Sequence, residues 1–156
     1  MKKTLLLLFL MTLIFNHLVA QEAKETLQFD DIQFDIKSVE LNKKTDTLEI
    51  ELFLISLDKI PREFKLNVFA TQILNDHSKS NFISSIKLDR VFIRLEDKLN
   101  YLHYLLQPDV PALMTIRVGN WSKMNSTSYN RVKMVIEDSK EVGRFNDFDI
   151  PLKSKN

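Results

Sequence analysis

Few side chains in this sequence could do chemistry, and their spacing reads mostly as strand rather than as catalytic motif. Two carboxylate pairs stand two residues apart, Glu49/Glu51 and Asp147/Asp149. On a strand, that spacing places both members on one face. There they could share a cation or, in glycoside chemistry, flank a bond. The simpler reading is that they keep an outer face soluble, and no loop of the D-x-D-x-D-G type accompanies them. Outside the first 20 residues the histidines are His77 and His103. His77 follows Asn75-Asp76, whose carboxylate could orient the imidazole; a solvated loop histidine is the plainer account. His103 lies in a run of tyrosines and leucines, where a partly buried strand residue with one hydrogen bond is expected. No ligand spacing joins the two, so no metal site is assigned.

The missing residue types are equally informative. There is no cysteine, which removes thiol nucleophiles, thiolate metal sites and iron–sulfur clusters. Gly119 and Gly143 are the two glycines. A Gly-x-Ser-x-Gly elbow or a glycine-rich phosphate cradle therefore cannot form in its familiar shape. No catalytic residue and no cofactor is assigned.

Binding residues are easier to nominate. Arg90 and Arg94 flank Phe92 in a strand-like run, and Phe92 on an exposed face could stack on a ring or meet a partner. Phe53 and Ile55 follow Glu49 and Glu51 on the same strand face, which starts charged and ends apolar; exposed, they would form a patch that needs covering. Trp121, after Gly119-Asn120, is either an exposed anchor at a sandwich tip or a plug in the core. With Tyr101, Tyr104 and Tyr129 it could also make a platform for a sugar.

The elements that must position these groups are strands. Period-two alternation begins at Leu27 and slips in phase at Asp30-Asp31 and again between Ile36 and Val39, each slip predicting a bulge or a break. Further strands are expected over 48–55, 64–74, 86–95, 112–118, 132–136 and 144–152. Residues 96–107 fit either a helical face through Leu95, Leu99, Leu102 and Leu106, or a strand preceded by a helical turn. Turns are rich in Asn and Asp, which tolerate the left-handed conformation in place of glycine. Seven or eight short strands without secure helix predict an all-β, antiparallel β-sandwich.

The N-terminus predicts export. Met1-Lys2-Lys3-Thr4, the apolar run Leu5–Phe15 and Ala20 have the three parts of a secretory signal. Cleavage after Ala20 would leave 136 of the 156 residues and change the formal charge from +1 to −1. Residues 21–26 then read as a flexible start, 27–152 as one domain and 153–156 as a polar tail. The apolar run is too short and too interrupted for a membrane span. Near-neutral charge without a basic cluster argues against a nucleic-acid partner.

Leu106-Gln107-Pro108-Asp109-Val110-Pro111-Ala112-Leu113-Met114-Thr115-Ile116 resembles a stretch of the telokin-like immunoglobulin domains of exported bacterial proteins, with Asp109 where glycine is usual. The basic-leucine start and Ala-Gln exit are similar to those of exported Bacteroidota proteins. Asp46-Thr47-Leu48 is similar to the O-glycosylation signal of that group, which marks Thr47. These resemblances imply an immunoglobulin-like interaction module without a reaction. The expectation is an exported, non-catalytic domain, periplasmic or secreted, that binds an envelope or extracellular protein. Glycan binding is the alternative, and a hydrolase built on the carboxylate pairs comes third.

Overall fold

A computed structural model describes residues 26–75, 79–124 and 129–152. The expected signal peptide 1–20, the start of the mature chain to residue 25, the tail 153–156 and His77 lie outside these residues. Among the described residues no helix is long and apolar enough to cross a membrane.

The domain is an all-β sandwich of two antiparallel sheets. In chain order the strands are β1 (Leu27–Phe29), β2 (Ile32–Asn42), β3 (Thr47–Ser56), β4 (Arg62–Asn67), β5 (Gln72–Asn75) and β6 (Ser80–Phe82). They continue with β7 (Ser85–Leu88), β8 (Val91–Arg94), β9 (Tyr101–Leu106), β10 (Ala112–Gly119), β11 (Tyr129–Glu137) and β12 (Phe145–Pro151). The first sheet runs β1-β2-β3-β10-β7-β8. The second runs β6-β5-β11-β4-β9, with β12 also paired to β11.

Among the described residues twelve strands replace the expected seven or eight, and aspartates divide two of the expected strands into hairpins. Asp30 and Asp31 both have positive φ, 49° and 55°, as a two-residue type I′ turn requires, and the pairing Phe29↔Ile32 closes it. The first phase slip is therefore a turn. The second is a bulge in β2 between Ile36 and Ser38. The expected strand 86–95 is likewise a hairpin, turning at Asp89 (φ 47°) with Leu88 paired to Val91. Ile93 still faces in and Phe92 out. Residues 64–74 divide into β4 and β5, with a turn in which the Asn67 side chain accepts from the Ala70 N–H. Six of the seven non-glycine residues with positive φ, among those described, are Asp or Asn. Their short polar side chains make the left-handed region affordable where glycine is scarce.

Residues 96–107 settle as a turn and a strand. A 3-10 turn covers Leu95–Asp97, Lys98 ends it at φ 56°, and β9 follows. Leu99 is exposed, so the helical face does not form.

Inward residues of both sheets make one core, with Phe34, Ile50, Leu52, Phe64, Ile116 and Met134 among its buried members. Ring contacts close one edge: Phe148 of β12 stacks on Phe29 of β1 at 4.3 Å and meets Phe34 of β2 at 4.9 Å. At the opposite edge the Tyr104 hydroxyl donates to the Asp89 carboxylate, tying β9 to the β7–β8 turn. The aspartate that makes that turn thus also links the sheets.

Candidate functional site

Period two does place each carboxylate pair on one strand face, and each member there has a cation. Glu51 accepts from Lys37 at 2.8 Å and Glu49 from Arg117 at 2.6 Å. On β12, Asp147 sits 2.9 Å from Lys133 and Asp149 3.3 Å from Arg131. The Lys37 hydrogen bond holds the Glu51 carboxyl below its ordinary value, and the Lys133 bond does the same for Asp147. A glycosidase acid needs the opposite shift. Among the described residues no cluster of three or more His, Asp or Glu side chains is arranged to hold a metal ion.

His103 departs from the partly buried position expected of it. Leu102 and Leu106 take the core side of β9, which turns His103 outward, 2.7 Å from the exposed Glu63 carboxylate. Trp121 is the core plug of the two alternatives. Asn120, at φ 54°, turns the chain inward after β10, and the indole packs 5.5 Å from the Tyr129 ring. The Trp121 N–H donates to Asp46 O at 3.0 Å, and the Asp46 carboxylate accepts from the Ser122 N–H and hydroxyl. Trp121 is thereby withdrawn from the contact surface. Tyr129 and Tyr104 are half-buried, leaving Tyr101 as the most open of the tyrosines, stacked on Phe145 at 5.4 Å with Lys65 Nζ 4.8 Å from its ring. Thr47, half-exposed at the start of β3, donates its hydroxyl to Thr45 O. Phe92 is exposed on β8, and the neighbouring Arg94 is held by Glu96 and Asp97.

Phe53 and Ile55 belong to a longer apolar strip. Both are half-buried on the outer face of β3, and Phe53 lies opposite Leu113 of β10, with Lys37 Nζ 5.9 Å from the Phe53 ring. Alternation carries the strip on to Leu57, just past the end of β3. The Asp109 N–H donates to Ser56 O at 3.0 Å, which brings the β9–β10 loop alongside the β3–β4 loop. These two loops expose Leu57, Ile60 and Val110, and Ile60 retains 71% of its surface.

A buried ion pair holds this end together. Arg62, at the start of β4, has a side chain only 8% exposed and lies 2.7 Å from Asp30 Oδ2, itself 12% exposed. The same guanidinium donates to Asp30 O and, at 3.3 Å, to Asp58. Asp30 also accepts the Ser139 N–H at 3.1 Å and hydroxyl at 2.7 Å. Leu57 N donates to Asp31 O at 2.8 Å. One aspartate in a β-turn therefore braces the β1–β2, β3–β4 and β11–β12 connections. Leu57 and Ile60 thus stand on a loop anchored by this polar network.

Sequence reasoning missed Leu57, Ile60 and Val110 because strand periodicity says nothing about loops. Their signal was available as large apolar residues beside Pro61 and between Pro108 and Pro111, where solvated loops would carry polar ones.

No family model matches this chain, and no curated protein does. Among solved structures it is similar to the yjhA protein from Bacillus subtilis, with 13% identity over 83% of this chain and 96% of that one, at a TM-score of 0.42.

Proposed function

We propose that this chain is an exported, non-catalytic β-sandwich domain that binds another protein of the cell envelope or exterior. Its contact surface is the strip Phe53–Ile55–Leu113 continued by Leu57, Ile60 and Val110. The observation that carries this reading is the exposure of three large apolar side chains on two adjacent loops, of which the β3–β4 loop is anchored by the buried Arg62–Asp30 pair and the β9–β10 loop by the Asp109 N–H to Ser56 O bond. Scattered apolar residues on a surface need no explanation, whereas contiguous ones mark interaction sites. Rigid presentation lowers the ordering cost of association. The stretch that resembles telokin-like immunoglobulin domains makes the β9–β10 crossing at this same end, in keeping with an interaction module.

Glycan binding is the second reading, and it now rests on Tyr101, the most open tyrosine, with the His103 ring edge-on to it at 6.3 Å and Glu63 beside His103. The two are separated by an affinity pull-down from the source organism's envelope extract, run beside a polysaccharide panel. Stoichiometric recovery of one protein supports the first reading. Glycan retention abolished by Tyr101→Ala, with no protein recovered, would replace it by the second.

A further inference from the structure

The sheet edges of this domain are unequally protected. An unpaired strand edge presents backbone donors and acceptors to any extended chain, and proteins blunt such edges with short strands, charges, proline or bulges. In the first sheet, β1 has three residues, and β8 has four and carries Arg94. The part of β2 beyond β1 has a bulge, Lys37 and Glu40. In the second sheet, β6 has three residues, and β12 carries Asp147, Asp149 and Pro151.

β9 has none of these devices. Its sequence is Tyr-Leu-His-Tyr-Leu-Leu, six residues without acid, lysine, arginine, proline or glycine. Its pairing with β4 runs unbroken from Arg62↔Leu106 to Asn67↔Tyr101. Among the described strands none pairs with its other side. Tyrosine and leucine also point outward from it, Tyr101 at 38% and Leu105 at 57% exposure.

We propose that β9 pairs antiparallel with β9 of a second copy of this chain, about a two-fold axis at His103. The strand is its own complement in that register. Tyr101 of one copy falls opposite Leu105 of the other, and the reverse, giving two aromatic–aliphatic cross-strand pairs on the outer face. On the inner side Leu102 falls opposite Tyr104, extending the apolar layer. His103 meets its own symmetry mate, and the two can do so while each stays beside the Glu63 of its own copy. No lysine, arginine or acid lies on either paired strand, and a formal charge of +1 gives no long-range repulsion between copies. A self-complementary patch is what a two-fold interface requires. The two second sheets then join into one sheet continuous across both molecules.

The absence of cysteine makes the register directly testable. Residues directly opposite in an antiparallel pair have Cα atoms about 4.5–5.5 Å apart, within the range a disulfide spans. Under a mild oxidant, purified His103→Cys chain should cross-link to a dimer at least about tenfold faster than Lys140→Cys, a cysteine on an exposed turn. Sedimentation of the unmodified chain from micromolar to millimolar concentration should show a reversible monomer–dimer equilibrium. Leu105→Lys should weaken that equilibrium at least about tenfold while leaving the urea midpoint in place. A chain that stays monomeric throughout would overturn the proposal. So would a dimer indifferent to Leu105→Lys, or His103→Cys cross-linking no faster than the control. The loop variants Ile60→Asp and Val110→Asp should leave self-association unchanged, which separates this edge from the partner surface.

Discussion

Replacing Asp30 with Asn isolates the charge at the centre of the loop scaffold. Asn tolerates positive φ as Asp does, so the turn at φ 49° is kept while the carboxylate is lost. The Arg62 guanidinium then remains 8% exposed with Asp58, 3.3 Å away, as its nearest counter-charge. Stranding one partner of a buried pair costs about 3–5 kcal/mol. Asp58 and the residual exposure of both groups place this case near the lower figure, about 3 kcal/mol. Trp121 is the single tryptophan, is buried, and packs by Tyr129 and Asp46 at the other end of the sandwich. Its emission therefore reports global unfolding without sensing the substitution directly. With a urea slope of about 1.5–2 kcal/mol/M for a domain of this size, the midpoint should fall by about 1.5–2 M. A loss below about 1 kcal/mol at unchanged slope would show that the pair is solvated and does not anchor the β3–β4 loop.

Three further perturbations test other links. Tyr104→Phe removes the hydroxyl that ties β9 to Asp89 and should cost about 1 kcal/mol in urea unfolding; the same bond raises the Tyr104 pKa, so Tyr104 should ionise above free tyrosine in an alkaline absorbance titration. Phe148→Ala should cost about 2–4 kcal/mol, since the ring contacts both Phe29 and Phe34 at the sandwich edge; a thermal midpoint within a degree or two of the parent would refute its closing role. The Lys65 hydrogen bond, followed by that of the Gly143 N–H, lowers the Glu137 pKa. A depressed folded value means the unfolded chain binds more protons, so this contribution is intact above about pH 4.3 and is lost as pH falls through the folded value. Urea midpoints measured from pH 7 to pH 3 should show Glu137→Gln with a shallower acid decline than the parent; parallel declines would contradict the assignment.

Much of the fold was legible in the sequence because strands with one buried face repeat every two residues. β3 reads Leu48, Ile50, Leu52 and Leu54 inward against Glu49, Glu51, Phe53 and Ile55 outward, and the structure keeps that division. The bulge after Ile36 was visible as a phase change. The hairpin turns at Asp30-Asp31 and Asp89-Arg90 were not recognised as turns, because aspartate at positive φ leaves no mark as plain as Asn-Gly. Of the nominated contact residues, Phe53, Ile55 and Phe92 remain at or near the surface, while the Trp121 backbone is drawn in by Asn120 and Asp46. Arg62 could not be found by periodicity at all. Its burial depends on a partner 32 residues earlier in the chain, a relation that only the folded topology creates.

Whether the loop end binds a partner is decided by one comparison. Partner capture from envelope extract is measured with the parent chain and with the Ile60→Asp/Val110→Asp variant, each first shown to unfold at the same urea concentration within about 0.5 kcal/mol, as surface substitutions do. The parent should recover one protein stoichiometrically, and the variant should lose at least about tenfold in affinity, the effect of charge placed in an apolar contact. Equal capture by two equally stable chains would contradict it and move the binding surface elsewhere on the sandwich.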